Sequence, residues 1–143
     1  MGLLDDKVKK QLGDIFKKLT RKVEIVYFTQ EFECGVCKDN RAFLEEISGL
    51  SDKLGFQTHD FVKDREKCDE YKIDKIPATA LLDPEGKDTG VRFFGIPGGY
   101  EINSFIQGIF ETSGTRQPLP AAVSEKIAAI TRDVHIQVLV SLT

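Results

Sequence analysis

Apolar positions at the amino end recur with helical spacing. Leu4, Val8, Leu12, Ile15, Phe16 and Leu19 are separated by lysines and aspartates, which predicts an amphipathic helix with a solvated lysine face. Residues 23–28, Val-Glu-Ile-Val-Tyr-Phe, form a short and nearly continuous apolar run, as a buried central strand does. A polar loop over 29–33 follows. Phe43, Leu44, Ile47, Leu50 and Leu54 then predict a helix of about five turns, closed by Gly55 as its cap. A strand over 56–61 and a short helix over 64–71 come next. Residues 78–82 and 91–94 read as strands, and the Asp83-Pro84-Glu85-Gly86 turn between them makes them antiparallel neighbours. Ile96-Pro97-Gly98-Gly99 breaks the second of these. Ile102, Phe105, Ile106, Ile109 and Phe110 give one face of a last helix.

The order β-α-β-α-β-β-α, preceded by a helix, defines an α/β unit over residues 1–112. It has a mixed four-stranded sheet, flanking helices and an extra N-terminal helix. Residues 113–143 differ in character. A linker rich in Ser, Gly, Thr and Pro over 112–120 leads to a helix over 124–132 and a strand over 134–140. That pair repeats the opening of the chain, a helix feeding an apolar strand, and reads as the start of a second, truncated unit. An apolar strand left unpaired invites aggregation. Something must cover it, either an edge of the first sheet or a second copy; a homodimer through this strand is the favoured expectation.

Composition narrows the function. The chain has 143 residues, 41% hydrophobic and 30% charged, with a formal net charge of −3. Charges of both signs are spread along it, which speaks against a nucleic-acid partner. No apolar run approaches the ~20 residues that span a bilayer, so no membrane partner is expected. The first residues lack the apolar core of a signal peptide, and a cytoplasmic location follows as the expectation.

Three cysteines, Cys34, Cys37 and Cys68, are too few for a disulfide framework in a reducing compartment. Catalysis, metal binding and inert burial remain. Cys34-Gly35-Val36-Cys37 lies at a strand-to-helix junction, where the spacing lets the two sulfurs bond within one turn. Cys34 is expected around the helix N-cap, where free N–H groups and the helix dipole favour a thiolate. It is therefore the candidate attacking sulfur, and Cys37, further inside, the resolving one. Ile76-Pro77 stands just before a strand, where a cis bond would present the Ile76 backbone to an extended substrate. These four residues are the candidate site. A half zinc site is the rival reading of the pair. It lacks ligands, because Cys68 belongs to a separate predicted helix, and no metal is expected. Cys68 reads as a small buried hydrophobe, and His135 as a solvated strand residue.

Several stretches together carry a family resemblance. They are Phe28-Thr29-Gln30-Glu31, the Cys34–Cys37 motif, Tyr71-Lys72-Ile73-Asp74-Lys75-Ile76-Pro77-Ala78-Thr79 and Gly90-Val91-Arg92-Phe93-Phe94-Gly95-Ile96-Pro97. With these the chain resembles the glutaredoxin-like protein disulfide oxidoreductases of thermophilic bacteria and archaea, in which two thioredoxin-like units stand in tandem. The resemblance implies a thioredoxin-like fold, with the first unit present and only the beginning of the second. It also implies protein disulfide oxidoreductase activity with protein disulfides as substrates. Electrons would come from a thiol reductant or a reductase, and no cofactor is needed beyond the Cys34–Cys37 disulfide. Three departures stand out. Glu33 replaces the thioredoxin tryptophan, Val36 replaces the Pro or His of several relatives, and Phe28 stands where thioredoxin has a buried acid. Proton transfer to Cys37 would then take another route.

The local charges are mixed. Glu31 and Glu33 oppose a Cys34 thiolate, while Lys38 and the helix dipole favour it. A reducing or isomerising centre follows, nearer the roughly −270 mV of thioredoxin than a strong oxidant. Two other functions compete. One is a non-catalytic interaction or dimerisation module, in which the dithiol is incidental. The other is a peroxide-handling thiol enzyme, which favours a single activated cysteine near an arginine; Arg41 is the arginine close in sequence.

Overall fold

Strand β1 (Val23–Thr29) is the axis of the molecule, as its nearly continuous apolar run predicts. The computed structural model describes residues 2–141. β1 pairs in parallel with β2 (Leu54–Asp60) and antiparallel with β3 (Ala78–Leu82), which pairs in turn with β4 (Asp88–Phe94). The sheet order is β2-β1-β3-β4. The two inner strands are the most buried, and every residue of β3 is buried. The helices are α1 (Asp6–Phe16), α2 (Cys37–Ser48), α3 (Arg65–Glu70), α4 (Ile102–Ser113) and α5 (Ala121–Ala128).

Alternation along β1 sorts the core into two layers. Val23, Ile25 and Tyr27 face α1, α2 and α4, packing with Leu12, Phe16, Leu44, Ile47, Phe105 and Ile109. Val26 and Phe28 face the other way, into a smaller cluster with Cys68, Tyr71 and Ile73. Each large side chain buried in these layers contributes about 1.5–3 kcal/mol. On the α3 side Arg92 crosses beneath the sheet. Its guanidinium donates to the Tyr71 carbonyl at 2.9 Å and to the Asp88 carboxylate at 2.6 Å. The N-terminal helix is capped by Asp5, which accepts from the Val8 N–H at 2.8 Å. Glu46 of α2 then accepts from the Leu3 and Leu4 N–H groups, tying the leading segment to the core.

The mixed sheet, the antiparallel β3–β4 hairpin and the extra N-terminal helix agree with the sequence pattern. Four elements differ from it. First, α2 has 12 residues, about three turns, and its cap is Gly49, not Gly55. The Leu50 N–H turns back to Ile47 and Ser51 takes the Leu54 N–H, so Leu54 and Gly55 open β2. The apolar stripe continues only because both elements face one core. Second, α4 runs on through Thr112 and Ser113 to Gly114, whose φ of 81° makes it a left-handed cap. Third, the last helix is α5, starting at Ala121 behind Pro120. Fourth, residues 134–140 form no strand, and Ile136, Val138 and Leu139 are at least 80% exposed. A strand exists only through ladder bonds to a neighbour, and neither sheet edge, β2 or β4, receives this segment.

Candidate active site

The end of β1 delivers the chain into a tight loop and then into α2. Glu33 adopts a left-handed conformation (φ 57°), which is uncommon for a residue with a side chain. Cys34 and Cys37 are joined by a disulfide with their Cα atoms 5.5 Å apart. Cys37 is buried at 2% exposure, while Cys34 is half-buried. The helix begins later than the sequence pattern predicts. Its cap is Val36, and Cys34 opens the preceding turn by accepting the Cys37 N–H at 3.4 Å. Cys34 therefore lies outside the helix, on its N-terminal side, where the positive end of the dipole still faces it.

Ile76-Pro77 joins this neighbourhood, and the bond between the two is cis. The Pro77 carbonyl accepts from Gly95 N–H at 2.9 Å, fixing the loop after β4 against the start of β3. Asn40, one turn along α2 from Cys37, donates its side-chain N–H to the Gly95 carbonyl at 2.9 Å. The dithiol helix, the Pro77 loop and the β4 exit thus hold one another. Exposed apolar side chains flank the disulfide: Phe32 at 75% and Val36 at 49%. Phe94 stands at the end of β4 with the Lys75 ammonium over its ring at 4.7 Å.

The strand residue that reaches the dithiol helix is Tyr27, not Phe28. The Tyr27 hydroxyl donates to the Cys37 carbonyl at 2.8 Å. Burial pushes this phenol up, with the Thr29 hydroxyl and the Arg41 charge acting in the opposite sense. Phe28 points to the other face and packs against Tyr71 at 5.5 Å between ring centres. Two buried polar atoms of the same region, Asn40 Oδ1 and Thr79 Oγ1, have no hydrogen-bond partner. Neither residue stands out in the sequence pattern as a site candidate. For Asn40 a signal exists, because it interrupts the stripe of Cys37, Leu44 and Ile47 on α2 with a polar residue.

The charges near Cys34 are weaker than their spacing suggests. Glu31 pairs with Lys63 at 3.7 Å, both well exposed, so its effect on Cys34 is screened. Arg41 pairs with Glu45 on α2 at 2.8 Å. Cys68 is not part of the site: it is a free thiol, the fully buried residue of α3, packed on the opposite face of the sheet. Burial, its largest influence, pushes its thiol up. Among the described residues no group of three or more His, Cys, Asp and Glu side chains is placed to hold a metal ion. None of the described helices is long and apolar enough to cross a membrane.

Fold and site define the class: a thioredoxin-fold unit with a Cys-x-x-Cys disulfide at the end of its central strand. A structure of the alkyl hydroperoxide reductase AhpF of Enterococcus faecalis superposes with a TM-score of 0.81. It is 32% identical, and the match covers 88% of this chain and 60% of that one. A protein disulfide oxidoreductase of Aeropyrum pernix superposes at 0.77, with 23% identity, over 90% of this chain and 56% of that one. In sequence, the corresponding alkyl hydroperoxide reductase protein of Staphylococcus aureus (strain Mu50) is 27% identical over 141 residues. The match takes in 99% of this chain but spans only 25% of that relative's length. No protein-family model matches the chain.

Proposed function

We propose that this chain exchanges disulfides with protein substrates, with Cys34 attacking and Cys37 resolving. The observation that carries the reading is the Cys34–Cys37 disulfide, with Cys34 half-buried and Cys37 buried, on an α2 tied through Asn40 and Gly95 to the cis Ile76-Pro77 bond. In the reducing direction the Cys34 thiolate attacks a substrate sulfur and expels the other substrate sulfur as a thiolate. Cys37 then attacks Cys34 Sγ, releasing the second substrate thiolate and closing the disulfide seen here. Two electrons pass to the substrate, and a thiol reductant or partner reductase restores them. The exposed Phe32 and Val36 favour a protein substrate over a small thiol, since they offer apolar contact next to the reacting sulfur. Ile76 lies outside the β3 ladder, so its backbone suits pairing with an extended substrate segment. Likeness to the alkyl hydroperoxide reductase AhpF suggests a setting in which these electrons serve hydroperoxide reduction.

A cytoplasmic location and a part in redox homeostasis belong to the same proposal. A homodimer through residues 134–140 belongs to it too, supported by their apolar, exposed and unladdered state. Sedimentation showing monomer alone at high micromolar concentration would remove that part.

Insulin reduction driven by dithiothreitol tests the central claim. Turnover by the wild type that disappears in Cys34→Ser is the expected result. An inactive wild type would favour the interaction-module reading instead.

A further inference from the structure

Two polar side chains with no exposure to solvent lie on the α2 side of the sheet with an unpartnered atom each, Asn40 Oδ1 and Thr79 Oγ1. Natural interiors hold few such atoms, and each asks for a reason. Three relations bring these two to Cys37. Asn40 follows Cys37 by three residues on α2, so both side chains lie on one helix face. Its amide is anchored to the Gly95 carbonyl, whose own N–H is bound to Pro77, placing Asn40 over the start of β3. Thr79 stands directly across the β1–β3 ladder from Tyr27, the residue whose hydroxyl reaches the Cys37 carbonyl. All three polar groups face the α2 side of the sheet.

The disulfide explains why the two atoms are idle. A disulfide sulfur has no hydrogen to give and accepts weakly. Reduction of the Cys34–Cys37 bond by a thiol reductant adds two electrons and two protons. Cys37 then carries either an S–H, which donates, or a thiolate, which accepts strongly.

We propose that Asn40 and Thr79 are positioning residues for reduced Cys37, Asn40 Oδ1 accepting the S–H of its thiol and the Thr79 hydroxyl donating to its thiolate. The proposal rests on the dithiol reading above and deepens it. Both contacts exist only in the reduced state, so each draws the thiol–disulfide equilibrium toward the dithiol where its own protonation form of Cys37 prevails, Asn40 below the Cys37 pKa and Thr79 above it. They act oppositely on the proton: Asn40 holds it on Cys37, and Thr79 eases its departure toward the substrate thiolate being released.

Glutathione redox titration of the wild type, Thr79→Val and Asn40→Ala tests this, together with a pH titration of the Cys37 13Cβ shift in each reduced protein. Asn40→Ala should shift the equilibrium about fivefold toward the disulfide at a pH below the Cys37 pKa, and Thr79→Val about fivefold at a pH above it, each the effect of one net hydrogen bond, or about 20 mV more negative. The Cys37 pKa should rise in Thr79→Val and fall in Asn40→Ala. A merely structural role would move unfolding midpoints and leave both readouts unchanged. Equilibria within twofold of wild type on both sides of the Cys37 pKa in folded variants would overturn the proposal. Thr79→Val keeps the side-chain volume and decides alone should Asn40→Ala not fold. Neither measurement needs turnover, so an inactive wild type in the insulin assay would sink the proposed function without deciding this one.

Discussion

The Tyr27 hydroxyl donates to the Cys37 carbonyl oxygen at 2.8 Å, bolting the first turn of the dithiol helix to the central strand. Both residues are buried, so no water replaces the bond when it is lost. Tyr27→Phe keeps the ring packing against Phe56 and removes only the donor. The expected cost is about 1 kcal/mol, read as a lower urea midpoint with an unchanged slope. A midpoint equal to wild type would mean that the bond contributes nothing net.

Cys37→Ser should capture substrates. Cys34 can still attack in this variant, but no second thiol releases the mixed disulfide. Covalent adducts with a disulfide-bearing protein should accumulate on non-reducing gels and vanish with dithiothreitol. Cys34→Ser should form none, because the two remaining thiols, Cys37 at 2% exposure and Cys68 at 0%, are both buried.

Cys68 should be silent. Its thiol is fully buried, and burial raises its pKa, so little thiolate exists to react at neutral pH. With the Cys34–Cys37 disulfide intact, an aromatic disulfide reagent should find no reactive thiol in the folded protein and one in denaturant. Rapid labelling of the native state would show that α3 opens readily.

The Arg92–Asp88 contact should leave a mark on acid stability. The Arg92 guanidinium, chiefly through its hydrogen bond, holds the Asp88 carboxyl below its ordinary value. A carboxylate depressed in the folded state adds stability that is complete above its unfolded pKa, about 3.9. That stability is lost as pH falls through the lower folded value. Asp88→Asn should therefore lower the unfolding midpoint at pH 7 and matter progressively less as pH falls below about 4. Equal effects at pH 7 and pH 2.5 would contradict this.

Gly13 offers a gain. It lies inside α1, and a Cβ built there would meet nothing within 4 Å. Gly13→Ala should stabilise by about 1 kcal/mol, the helix-propensity difference. A lower thermal midpoint would show that the glycine serves an unrecognised contact.

Much of this architecture is legible in local pattern. The apolar run at 78–82 predicts a strand, and β3 occupies the same five positions. Asp83-Pro84-Glu85-Gly86 specifies its turn chemically, with Asp83 accepting from the Glu85 and Lys87 N–H groups. Helix boundaries are harder to read. Leu50 and Leu54 continue the α2 stripe although the helix stops at Ser48. Periodicity reports which face is buried, and two successive elements packed on one core share that face.

The sequence by itself determined where the disulfide sits. Cys34 and Cys37 are three positions apart in one local turn, and a strand before them and a helix after them suffice to bring the sulfurs together. Only the tertiary structure decided what surrounds them. It turned Tyr27 rather than Phe28 toward α2, set Asn40 against Gly95, placed Thr79 across from Tyr27 and sent Cys68 to the far side of the sheet. It also left 134–140 without a ladder, despite a composition suited to a strand. The physical reason is the same in each case. Spacing along the chain fixes contacts within a turn or two, whereas strand register and sheet face are settled by which distant segments pair.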